Sequence, residues 1–266
     1  MTPVLRTTGV SVSFGGVHAV VGVDLEVGPG RLVGLIGPNG AGKTTFIDAV
    51  TGFVRSSGRI ELDGRDLTGL APHARARLGL ARTWQSIDLF DDLSVGENLP
   101  VASHRPSMRS MFEETVRRSR NRERADERDP LMDVLGIESI ADAMPTELSQ
   151  GERKLVGIAR ALVARPRLVL LDEPAAGLDT NESEKLGQQL RRLADGGQSM
   201  LLVDHDMGLV LGICDEVVVL EFGEVIASGK PEVVRRDQRV IAAYLGSAAS
   251  AVELGVLDSA SGGHDG

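Results

Sequence analysis

Residues 31–45 read Arg31-Leu-Val-Gly-Leu-Ile36-Gly37-Pro38-Asn39-Gly40-Ala41-Gly42-Lys43-Thr44-Thr45. The first six positions are an apolar run after a charge, the pattern of a short buried strand. A glycine-rich loop follows, and from Lys43 to about Thr51 the spacing is helical. Strand, glycine loop and helix, with G-x-x-x-x-G-K-[ST] across the join, make a phosphate loop of the Walker A type. Glycines let the backbone curl so that its N–H groups converge on a phosphate, and the helix N-terminus adds partial positive charge. The pattern assigns Gly37, Asn39, Gly40, Ala41, Gly42, Lys43, Thr44 and Thr45 to the phosphates of a nucleotide. Lys43 would neutralise β- and γ-phosphate charge, and Thr44 would offer its hydroxyl to Mg²⁺.

A second apolar strand, Leu168 to Leu171, ends in Asp172-Glu173-Pro174. Carboxylates at the carboxyl edge of a sheet lie beside a phosphate loop, so Asp172 is expected to hold Mg²⁺ and Glu173 to polarise an attacking water. His205 follows a third strand, Ser199 to Asp204. No second His or Cys stands at ligand spacing, which argues against a metal role. At a strand end beside the other motifs it would contact the γ-phosphate and hold the water in line. Upstream of Asp172 lies Leu148-Ser149-Gln150-Gly151-Glu152. Ser149 and Glu152 have capping-box spacing, and the open helix start presents a hydroxyl and a glycine N–H to an anion. Spacing alone leaves open which anion that is.

The bulk numbers bound the alternatives. The 266 residues suffice for one large domain or two small ones. The net charge of −9 argues against a nucleic-acid binder, which needs an excess of Lys and Arg. The lone cysteine, Cys214, has no disulfide partner and reads as a small buried apolar residue in a reducing compartment. No apolar run reaches the roughly 18–20 residues that span a bilayer, and no signal peptide opens the sequence, so a cytoplasmic location is expected.

Residues 4–13 and 17–27 alternate like a β-hairpin turning at Gly15-Gly16, and 59–64 read as a further strand and turn. His73 to Leu80 reads as a helix. Helical patterns fill about 94–165, where the charged stretch 117–128 reads as a solvated helix face. Strand–helix alternation resumes at 168–172, 181–195, 199–204 and 216–221. The fold expected is α/β: a P-loop NTPase core of parallel sheet flanked by helices, with an antiparallel β subdomain and a helical insertion. Residues 247–266, rich in Ser, Ala, Gly and Asp, read as a disordered tail.

Taken in order, these motifs resemble the nucleotide-binding subunits of ATP-binding cassette (ABC) transporters, across residues 4–246 as a single domain on a RecA-like core. The resemblance adds roles that spacing does not give. Phe14 fits the aromatic position that stacks on adenine. Gln85, in Arg82-Thr-Trp-Gln85, fits the Q-loop residue that senses the γ-phosphate and Mg²⁺, and Ser86 to Leu93 would contact a membrane subunit. Gly177-Leu178-Asp179 fits the D-loop. The helical subdomain carries the signature motif, whose Ser149 and Gly151 would close over the ATP of a partner subunit in a head-to-tail dimer. The implied cofactors are ATP and Mg²⁺. The implied partners are a second ATPase, integral permeases and, indirectly, an extracytoplasmic solute-binding protein, which would hold the chain at the inner face of the membrane. Two departures stand out: Gln150 replaces a usual glycine, and Trp84 stands where Phe is common. Ala81-Arg-Thr-Trp-Gln85, Leu171 to Asp179, Asp204-His-Asp-Met207 and Ile241 to Gly246 are similar to the ATPases of branched-chain amino-acid importers, with urea importers and a lipopolysaccharide-export ATPase sharing much of the pattern.

Overall fold

The computed structural model describes residues 2–84, 89–103 and 130–244. Gln85, the charged stretch 117–128 and the 247–266 tail lie outside the described residues. The chain divides into two compact units, one formed by Met1–Gln85 with Pro166–Gly266 and the other by Ser86–Arg165.

The first unit holds two sheets. Strands β1 (Leu5–Phe14) and β2 (Val17–Val27) pair antiparallel through a turn at Gly15 and Gly16, whose φ of 52° and 89° suit the twist of a two-residue hairpin. β4 (Ser57–Leu62) pairs with β1, and β5 (Arg65–Asp66) with β4, giving the order β2-β1-β4-β5. Leu5, Val10 and Val12 of β1 bury against Phe46, Ile47 and Val50 of helix α1 (Lys43–Thr51) in one apolar core that also includes Leu35, Leu201 and Leu220.

The second sheet contains β3 (Leu32–Ile36), β6 (Leu80–Arg82), β7 (Leu168–Asp172), β8 (Ser199–Val203), β9 (Glu216–Glu221) and β10 (Glu224–Gly229), in the order β10-β9-β3-β8-β7-β6. All neighbours run parallel except β10, which turns back on β9. Every residue of β3, β7 and β8 is buried, as continuous apolar runs must be in a sheet covered on both faces. Cys214 is buried too, and burial pushes its thiol well above the usual range, which fits an apolar filler rather than a nucleophile.

Several elements differ from the sequence reading. The helix expected over 73–80 is α2 (Pro72–Arg77), begun by a proline at its first turn, and the chain re-enters the sheet at Leu80 as β6. β6 is an edge strand of three residues, too short to show a period. β10 was hidden because its Glu224, Ser228 and Gly229 dilute any alternation.

Helix α2 also supplies Arg75, which is 4% exposed. Its Nη1 donates to Ala49 O and Val50 O at the end of α1, and its Nε donates to Leu70 O. Arg75 thus ties down carbonyls at the end of α1, of which Ala49 O also accepts from Gly52 N. Arg75→Met is expected to destabilise the fold by about 2–4 kcal/mol, since buried acceptors lose their donors. A thermal melt followed by circular dichroism checks this, and an unchanged Tm would refute the capping role.

In the second unit, α3 (Val95–Ser103) and α4 (Pro130–Leu135) each pack on α5 (Gln150–Val163). Buried Asn98 accepts from Phe90 N and donates to the carbonyls of Phe90, Leu93 and Ser94. It thereby fixes the segment entering α3, and the Arg160 guanidinium lies 5.0 Å from the centre of the Phe90 ring.

Candidate nucleotide site

Sheet register puts the functional side chains at one edge. Leu35 of β3 pairs with Val203 of β8, and Val203 pairs with Asp172 of β7. The residues that follow this row are Ile36-Gly37, Asp204-His205 and Glu173. The phosphate loop, the His205 segment and the Asp172-Glu173 pair therefore emerge from three adjacent parallel strands at their carboxyl ends, where open α/β sheets bind ligands.

The loop is held from outside the helix it feeds. Ala41 O accepts from Gly223 N at 3.0 Å, and Gly223 O accepts from Val21 N at 2.9 Å, tying the loop to the β9–β10 turn and to β2. Gly37 has φ 154° and Gly42 has φ 100°. A Cβ at Gly37 would come within 2.1 Å of Leu220 O, and one at Gly42 within 2.3 Å of Ala19 O, so no other residue fits either position. Lys43 is 7% exposed, and its ammonium donates to Gly37 O at 2.6 Å and Pro38 O at 3.1 Å. Burial lowers its pKa, while the carboxylates of Glu173, Asp204 and Asp172 push it back up. That field links the lysine to all three acids. Thr44, Asn39 and Gly40 are exposed, Thr45 is half-buried, and Ala41 is buried beneath the loop.

Glu173 adopts φ 46°, a left-handed conformation that a glutamate avoids unless its surroundings impose it. Its N–H donates to Val203 O at 2.7 Å, so the strained turn is fastened to β8. Such strain at a strand end beside a phosphate loop makes Glu173 a candidate functional position. His205 is exposed, and its Nδ1 lies 3.5 Å from Asp204 Oδ1, at the outer limit of an ion pair.

Two residues unassigned by the sequence reading link the segments of this edge. Asp204 is fully buried, with Oδ1 accepting from His205 N and Asp206 N and Oδ2 accepting from Ala175 N. Arg82, on β6, donates to both Asp48 and Asp172. Neither carried a usable signal: the three-residue strand that ends in Arg82 is too short to read, and an acid after a strand reads as a turn residue.

Asp179 caps helix α6 (Thr180–Asp195) by accepting from Glu182 N, and Asp206 caps α7 (Met207–Ile213) while accepting from Ser183 Oγ. Phe14, the last residue of β1, is 52% exposed and so presents its ring to solvent. Ser149 and Gly151 belong to the other unit. Ser149 is the N-cap of α5, accepting from Glu152 N while Glu152 accepts from Ser149 N, the reciprocal box that the spacing implied.

Among the described residues, no cluster of three or more His, Cys, Asp or Glu side chains could hold a metal alone. The exposed Thr44 hydroxyl and the Asp172 carboxylate offer hard oxygen donors, which suit a Mg²⁺ shared with phosphates rather than caged by protein.

The "ABC transporter" family model matches residues 20–176, and that of the "Branched-chain amino acid ATP-binding cassette transporter" matches residues 224–250. The chain is 38% identical over 252 residues to the high-affinity branched-chain amino acid transport ATP-binding protein BraF of Pseudomonas aeruginosa, covering 92% of this chain and 99% of that protein. The figures are the same for LivG of Escherichia coli K12. Among solved structures, a nucleotide-free ATP-binding cassette from an ABC transporter matches with a TM-score of 0.76 and 29% identity, over 92% of this chain and all of that one. The ADP conformation of the cassette MJ1267 matches with a TM-score of 0.76 and 27% identity, over 93% of this chain and 100% of that one. The chain belongs to the ABC transporter family, as one of its ATP-binding ATPases.

Proposed function

We propose that this chain is the ATP-hydrolysing subunit of an importer of branched-chain amino acids or a similar small solute. The observation that carries the chemistry is the register row Leu35–Val203–Asp172, which delivers an anion cradle, a strained carboxylate and a histidine to one sheet edge. The solute class is supported by the near full-length similarity to BraF and LivG together with the 224–250 match.

The loop N–H groups and Lys43 bind the β- and γ-phosphates, and Phe14 stacks on the base. Glu173 takes the proton from the attacking water, while His205 and Gln85 hold that water in line with the γ-phosphate. Thr44, Gln85 and Asp172 hold Mg²⁺, which when bound offsets charge on the phosphate oxygens. The Ser149–Gly151 segment covers the γ-phosphate of an ATP held by a second ATPase subunit. Residues 4–246 act as one ATPase domain with about 94–165 as its helical subdomain. Among the described residues, no helix is long and apolar enough to cross a membrane. Permease subunits hold the chain at the inner membrane face, and opening and closing of the ATPase pair drives them between access states.

Isolation of the tagged chain from native membranes is expected to recover integral permeases. Vesicles rebuilt from that complex and the solute-binding protein are expected to take up leucine, isoleucine or valine only with internal ATP. Recovery of ribosomes or DNA without a permease would overturn the transporter reading, and ATP-driven uptake restricted to other solutes would overturn the substrate class.

A further inference from the structure

Arg82 is a buried cation that the reaction outlined above leaves unused. Its side chain is 7% exposed. Nη1 donates to Asp48 Oδ1 at 2.6 Å, and Nη2 donates to Asp172 Oδ2 at 2.7 Å. The guanidinium lies 4.6 Å from the centre of the Trp84 ring, which meets Phe53 edge-on at 5.2 Å. Nε has no acceptor. The guanidinium is thus held by two carboxylates and one aromatic ring.

The partners on either side bear on the site. Asp172 ends the β7 strand. Asp48 lies four residues after Thr44 on α1, and so on the same helix face. The Asp48–Arg82–Asp172 cluster carries one net negative charge and includes Asp172, one of the groups assigned to the cation. We propose that Arg82 is a positioning residue that sets the strength of the divalent-cation site at Asp172, with Asp48 setting how much of the guanidinium charge Asp172 receives. This rests on the reading of Asp172 as a cation ligand. Arg82 fixes the carboxylate by holding Oδ2, and it offsets part of the charge that attracts the cation. Removing the guanidinium leaves two negative charges at the cluster, and neutralising Asp48 leaves none.

The two changes therefore pull in opposite directions. A purely structural ion pair predicts otherwise, since loss of either partner would loosen the cluster and weaken the cation site alike. The measurement is the affinity of the full-length protein for a fluorescent ATP analogue, with saturating Mg²⁺ and with EDTA. The ratio of the two affinities is the coupling between cation and nucleotide. Arg82→Met is expected to raise that ratio by roughly tenfold, and Asp48→Asn to lower it by a similar factor, as expected for one unit charge near a partly screened ion. Arg82→Lys retains the charge without the fork and is expected to stay near the parent value. If Arg82→Met does not fold, Arg82→Gln, which removes the charge but keeps a polar side chain, takes its place, and a ratio that does not rise in it overturns the inference. A ratio unchanged in Asp48→Asn, or lowered in both variants, overturns the inference. Asp172→Asn tests the underlying reading separately. It should bring the ratio close to one, and an unchanged ratio there would mean that Asp172 does not hold the cation.

Discussion

Glu173→Gln is expected to lower steady-state ATP turnover by at least about a hundredfold while leaving ATP binding intact. Glutamine has nearly the same volume as glutamate and meets the same backbone demands. The cost of φ 46° at this residue and its N–H bond to Val203 O are unchanged by the substitution. The capacity to accept a proton from water is what disappears. Binding should survive because the phosphate cradle is built on α1 and its loop, two strands away in the sheet. Phosphate release measures turnover, and retention of radiolabelled ATP through gel filtration measures the trapped state. Hydrolysis at the parent rate would show that another group activates the water.

The second large effect concerns sites shared between two copies. Lys43→Ala removes the phosphate-binding ammonium, and Ser149→Arg places a bulky cation at the start of α5. Each variant alone is expected to lose nearly all ATPase activity. Mixed in equal amounts, half of the dimers join one copy of each kind and contain one intact site. The mixture should recover about a quarter of the parent rate if sites act independently. Ser149→Arg also breaks a capping box, at about 0.5–2 kcal/mol, too little to unfold a domain of this size. A melting curve separates that loss from the loss of activity. No recovery on mixing would count against a site shared in this way.

Much of the architecture was legible because the deciding segments are strongly patterned. β3, β7 and β8 each carry a buried apolar run that leads into a glycine or an acid (Gly37, Asp172 and Asp204), so strand and exit could be read together. The reciprocal cap at Ser149 and Glu152 was equally plain from a four-residue spacing. The Arg82 and Asp204 contacts were not legible, for a physical reason. Both residues act through partners far away in sequence: Arg82 reaches Asp48 and Asp172, and Asp204 reaches Ala175. Only the strand order β3-β8-β7-β6 brings those partners close, and strand order is a property of the whole sheet. The opposite also holds for Ser149 and Gly151. Their residue types were easy to find, but the role proposed for them depends on a second polypeptide.

Asp204 sets a limit on how this ATPase can be altered by recombination. One buried carboxylate accepts two N–H groups from the segment carrying His205 and one from the segment following Glu173. No flexible side chain stands between them to absorb a mismatch. A chimera that imports residues 173–179 from a distant relative while keeping 204–206 would inherit one half of a fitted joint. His205 and Glu173 are in this sense a single heritable cassette, although some thirty residues of chain separate them.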